Sequence, residues 1–176
     1  MSTALLLQWV ATVIMLVGIG FGVQNIRQYQ AARRRESAIL MLNSFQTGEF
    51  VHGLLIVIGL PVGVAKAQVD ALPIDELRAF YVVLGTWERL GVLVFRGEVG
   101  MDLVDDAYSG PILLSWERLA GFVAEFRSHL GRETGFEWFQ WLAERLAERE
   151  AESSPVPAYV AHRAWRVGQG HRAGRR

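Results

Sequence analysis

"TWERLGVLV" (residues 86–94) and "SWERLAGFV" (residues 115–123) carry the same Trp-Glu-Arg-Leu tetrapeptide, 29 residues apart. On a helix, Trp and Leu three positions apart share a face, while the Glu and Arg between them point elsewhere. The tetrapeptide therefore reads as a packing unit with a charged outer edge. Gly91 after the first copy and Gly121 after the second leave room for a neighbouring helix. Trp87, Leu90 and Gly91 also match the start of the tetratricopeptide pattern. That repeat runs to about 34 residues and needs more copies than two, so a repeat array is rejected.

The pattern extends outward from both copies. Leu77, Phe80, Leu84, Trp87, Gly91 and Val94 follow one another at three- and four-residue steps behind Pro73, with Asp75 and Glu76 in the first turn and Gly97 as a stop. These are the marks of one long helix. "MDLVDDAYSG" (residues 101–110) predicts a short helix, with Gly110-Pro111 as a break after it. Ile112, Trp116, Leu119, Val123, Phe126 and Leu130 then form an apolar seam. Gly131 and Gly135 bracket a turn before "FEWFQWLAERLAERE" (residues 136–150), the last strong helix. Upstream, Thr47 is positioned to cap a helix over 49–59 that Leu60-Pro61 ends, and residues 64–69 add a turn or two. No stretch alternates long enough for a sheet. The predicted fold class is all-α: an N-terminal transmembrane helix, a stalk, then a bundle of about four to six helices.

The transmembrane reading rests on residues 4–23, "ALLLQWVATVIMLVGIGFGV", which hold no charge. Twenty residues of helix reach about 30 Å, the thickness of the hydrocarbon core. Residues 1–3 hold no basic side chain and the run does not end in a cleavage pattern, so an uncleaved anchor is predicted rather than a signal peptide. Arg27 and the Arg33-Arg34-Arg35 cluster follow it, which places the body in the cytoplasm and the amino terminus outside. With Trp9, these arginines are the predicted lipid contacts. Gly18 and Gly22 have the spacing that lets two membrane helices meet as a homodimer. The expected division is anchor 1–25, stalk 26–46, bundle 47–150, and linker with basic tail 151–176. The later apolar run over 50–65 is too short for a second span, and Pro61 interrupts it.

All 18 acidic residues lie between Glu36 and Glu152, where only nine basic residues accompany them. The body thus carries an excess of nine negative charges between basic ends, a distribution suited to an anionic surface at those ends. The absence of cysteine excludes disulfides, thiolate catalysis and cysteine-held metals. No phosphate-binding loop, nucleophile elbow or His-Glu-x-x-His is found. His129 and Glu133 are too few for a zinc site. No catalytic residue, cofactor or metal is assigned, and nucleic acid is not favoured as a partner. Asp102, Asp105 and Asp106 form the densest acidic cluster and, with Trp165 and Arg166 of the tail, are the candidate contacts to a partner protein.

The order "WERLGVLVFRGEVGMDLVDDAYSGPILLSWERL", then "FEWFQWLAERLAER", then residues 158–165, resembles a family of small bacterial membrane-anchored helical proteins known only as a domain of unknown function. Its most specific parts are Glu88-Arg89-Leu90-Gly91, Asp102-Leu103-Val104-Asp105, and Glu137-Trp138-Phe139 with Trp141-Leu142. The resemblance spans roughly residues 42–165 and implies a single anchor with a helical body, but no activity. The expected function is a membrane-anchored interaction module of the bacterial inner membrane, an accessory or scaffold subunit. The alternative is an enzyme built on His52, Asp102, Asp105, Asp106 and His129, which requires those groups to share one cleft.

Overall fold

The computed structural model describes residues 47–152 and 156–166, together with Met15, Phe21, Gly22, Gln24, Asn25 and Phe45. Among them are six helices and no strand: α1 (Gly48–Gly59), α2 (Lys66–Asp70), α3 (Ile74–Phe95), α4 (Met101–Leu130), α5 (Glu137–Glu152) and α6 (Ala158–Ala161). No helix of the described residues is long and apolar enough to cross a membrane. The span expected over 4–23 lies outside the described residues except for Met15, Phe21 and Gly22, as do Trp9, Gly18, Arg27 and Arg33 to Arg35.

The helix ends follow local chemistry. Thr47 accepts a hydrogen bond from the Phe50 amide at 3.2 Å and starts α1. Pro73 precedes the first turn of α3, where Asp75 and Glu76 lie. Gly97 takes φ 69° at the end of α3, and the Glu98 amide reaches back to the Leu93 carbonyl at 2.9 Å. Gly131 repeats this device at the end of α4, with φ 63° and the Arg132 amide on the Arg127 carbonyl at 3.1 Å. Both are closures that favour glycine, because a Cβ is strained in this region.

The expected break at Gly110-Pro111 does not occur: α4 runs unbroken from Met101 to Leu130 with Pro111 inside it. Proline removes one amide donor and costs about 3 kcal/mol in an exposed helix interior. Here Val104, Ile112, Ser115 and Leu119 are buried on both sides of it, and that packing offsets the loss. The sequence signal was real but local, and the tertiary contacts outweighed it.

Four helices make the bundle. Phe50 of α1 meets Trp87 of α3, and Gly53 lies against the Ala79 carbonyl, so these two helices are antiparallel. Phe80 meets Phe122, and Trp87 meets Ser115, so α3 and α4 are antiparallel. Gly91 lies against Trp138 and Phe95 against Trp141, so α5 runs parallel to α3. The close backbone neighbours are α1 with α3, α3 with α5, α5 with α4, and α4 with α1. Helices α3 and α4 thus face each other across the diagonal, and large side chains fill the space between them. Trp87, Phe80, Phe122 and Phe139 are all fully buried there. Each such side chain contributes about 2–3 kcal/mol relative to exposure. Phe45, expected within the stalk, is 7% exposed and stacks on Tyr108 at 4.1 Å, so the core reaches at least to that residue.

Candidate functional site

Two carboxylates of the body hold helix ends from a distance. Glu125 of α4 accepts from the Lys66 amide at 2.8 Å, at the start of α2. Glu88 of α3 accepts from the Phe139 amide at 2.8 Å, in the first turn of α5. The first amides of a helix have no partner within it, so an acceptor supplied by another element serves as a cap. Glu88 and Glu117 were both expected on the charged outer edge. Glu117 is exposed, but Glu88 is half-buried and turned inward, because α5 begins against it. Burial pushes the Glu88 carboxyl above its ordinary value. The Phe139 and Trp138 amides oppose that shift, nearby Glu137 adds to it, and Arg127 opposes it.

Arg127 closes the turn between α4 and α5. Its Nε donates to the Gly135 carbonyl at 2.8 Å and its Nη1 to Gln140 Oε1 at 2.6 Å. The turn needs such a clamp, since Phe136 takes φ 53°, a conformation disfavoured for side chains with a Cβ.

The acidic cluster offered to a partner is partly engaged within the chain. Arg149 of α5 donates from Nη2 to Asp102 at 2.7 Å and from Nε to Asp105 at 3.0 Å. Asp106 is exposed. This pairing ties the start of α4 to the end of α5, at the modest worth of a largely solvated ion pair. Trp165 and Arg166 are exposed in the tail, where Arg166 Nη1 donates to the Trp165 carbonyl at 3.2 Å.

The residues named for the enzyme alternative do not converge. Asp102 opens α4 and His129 closes it, 27 residues or about 40 Å of helix away. His52 is exposed on α1. These residues form no shared cleft. Among the described residues no group of three or more His, Asp or Glu is placed to hold a metal ion.

What the surface presents instead is apolar. Val51, Leu55, Ile58 and Val62 are exposed along the outer side of α1 and just beyond it. On another side of the bundle, Phe95 is 61% exposed and its ring lies 4.7 Å from Trp138 and 5.8 Å from Trp141. The two indoles are 6.1 Å apart. Phe95 is the exposed ring of this group, and Trp138 and Trp141 are half-buried beside it.

Sequence reasoning missed Glu88, Arg127 and Arg149. A Trp-Glu-Arg-Leu written twice gives no sign that one Glu is a cap and the other solvated. The partners of Arg127 lie 8 to 13 positions on, across the turn, and those of Glu88 and Arg149 lie on distant parts of the chain. The engagement of Asp102 and Asp105 was hidden for the same reason.

Neither a curated protein nor a solved structure matches this chain. One family profile does, described as a domain of unknown function, DUF4760, over residues 3–146. The match reaches further toward the amino end than the resemblance read from the helical body, taking in the uncharged stretch, and it stops before the basic tail. Covering most of the sequence, it places the chain in the DUF4760 family.

Proposed function

We propose that this protein is a membrane-anchored helical module that binds another protein, as an accessory or scaffold subunit of a larger membrane assembly. One observation carries the anchor: twenty residues without charge over 4–23, followed within a few turns by Arg27 and Arg33 to Arg35. Such a run reaches across the hydrocarbon core, and arginines beyond it stay on the cytoplasmic side. In this reading Trp9 and those arginines meet lipid, the amino terminus lies outside, and the body lies on the inner face of a bacterial cytoplasmic membrane. Gly18 and Gly22 offer a close-approach face to a second anchor. The interaction role is supported by the exposed ring of Phe95, beside which the half-buried Trp138 and Trp141 lie.

Carbonate washing of membranes and protease digestion from either side test the anchor. Retention after washing is expected, with the body cut only when the cytoplasmic face is open. Release by carbonate, or digestion of the body in intact cells, overturns it. Repeated recovery of the protein as a single copy, with no other chain and no second copy, from mild detergent overturns the interaction role.

A further inference from the structure

The aromatic ridge between α3 and α5 has two charged edges of opposite sign. Glu137, Trp141, Glu144 and Glu148 recur along α5 at the spacing of one helical stripe, and the three glutamates are exposed. Arg145 lies within this edge, 2.6 Å from Glu148 and 3.9 Å from Glu144, and leaves it net negative. On the other side, Arg89 and Arg96 of α3 are exposed, two turns apart. Because α3 and α5 run parallel, the levels can be matched. Glu88 meets Phe139 and Gly91 meets Trp138, which sets Arg89 near the level of Glu137. Phe95 meets Trp141, which sets Arg96 near the level of Glu144.

We propose that this ridge is a twofold interface between two copies of the chain. It deepens the interaction reading by naming the partner. A twofold axis along the helix direction carries the α5 edge of one copy over the α3 edge of the other and leaves every level unchanged. Glu137 then faces the second copy's arginine at position 89, Glu144 faces the one at 96, and the aromatic rings meet on the axis. An isologous contact forms each such pair twice. An anionic lipid surface fits poorly, since the glutamate edge repels it. Aromatic rings at the centre with charged groups at the rim are the anatomy of a protein interface.

The test co-expresses two differently tagged full-length copies and measures co-capture in mild detergent. Wild type captures wild type. Arg89→Glu with Arg96→Glu makes both edges acidic, and capture of that chain by itself falls at least about tenfold, as expected for opposed like charges. Glu137→Arg with Glu144→Arg makes both edges basic and fails in the same way. The two reversed chains mixed together recover capture to near the wild-type level, which a merely misfolded chain would not do. The proposal is overturned by absent wild-type capture, by self-capture indifferent to charge reversal, or by no recovery in the mixture. It is also overturned if capture vanishes with Gly18→Ile and Gly22→Ile while the charges are intact, because association then belongs to the anchor. Carbonate washing of the same variants reports the anchor separately: chains that pair but wash off membranes sink the anchor and leave this interface standing.

Discussion

The two Trp-Glu-Arg-Leu segments have one sequence and two environments. In α3, Trp87 is fully buried, and its indole N–H donates to Ser115 Oγ at 3.3 Å. In α4, Trp116 is half-buried and lies edge-on to Phe139 at 5.2 Å. There Ser115 and Leu119 take the centre of the buried face, so the same tetrapeptide is rotated and its Trp moves to the flank. Glu88 caps α5, while the Glu117 side chain is solvated. Gly91 follows its Trp by four positions and admits the Trp138 carbonyl; Gly121 follows by five and admits the Gly63 carbonyl. One residue of helix is about 100° of rotation, which is enough to aim the two close approaches at different neighbours. An identical local code thus fixes a helix and a shared face, and the surroundings decide what that face touches.

Three paired substitutions and one pH comparison test this contrast, each read by chemical denaturation of the full chain. The largest expected difference is between Trp87→Ala, at about 3–5 kcal/mol, and Trp116→Ala, at roughly half that, because the second site is already partly wet. Equal costs would mean that the tetrapeptide, not its neighbours, sets the value. Next come the glycines. A Cβ at Gly91 falls 2.3 Å from the Trp138 carbonyl oxygen, and one at Gly121 falls 2.4 Å from that of Gly63. Gly91→Ala pushes two packed helices apart and should cost about 2–3 kcal/mol. Gly121→Ala meets a connecting loop that can shift, and should cost less. A reversed order would show that the loop is the stiffer element. That loop is held to α4 by the Gly63 and Val64 amides on the Glu117 and Arg118 carbonyls at 3.1 and 2.9 Å, so the result also measures those bonds.

The carboxylates differ by a smaller amount. Glu88→Ala removes a cap and should cost about 1 kcal/mol, while Glu117→Ala should stay within about 0.5 kcal/mol. Comparable losses would break the assignment of Glu88 as a cap. The smallest effect is in pH. Burial raises the Glu88 carboxyl above its unfolded value, so the contribution favouring the fold is present in full below the unfolded value. It is lost as pH rises through the folded value. Glu88→Gln keeps an acceptor and removes the charge. Wild type should therefore lose stability relative to Glu88→Gln as pH rises above the ordinary carboxylate range. The opposite slope would mean that the Phe139 and Trp138 amides outweigh burial.

Periodicity predicted the helical class and most boundaries, because each depends on groups within a few residues. Thr47, Pro73, Gly97 and Gly131 act on their own backbone, and the structure uses each where local rules put it. Pro111 is the instructive exception. Its cost is local, but the burial of Val104, Ile112, Ser115 and Leu119 comes from other helices, and no window of sequence contains it. The charged side chains divide in the same way. The glutamates of α5 follow a readable stripe. Arg149 is drawn to Asp102 and Asp105 from the far end of the chain, and Glu88 to the start of a helix some fifty positions on.

By itself the sequence determined the all-helical class, where most helices start and stop, which residues share a face, and the uncharged stretch before the arginines. Only the tertiary structure decided which of two identical tetrapeptides faces the centre, which carboxylate caps a helix, and which aromatic rings stay at the surface. The physical reason is range. Backbone hydrogen bonds and caps are satisfied within a turn, whereas burial depends on which distant segment arrives to exclude water.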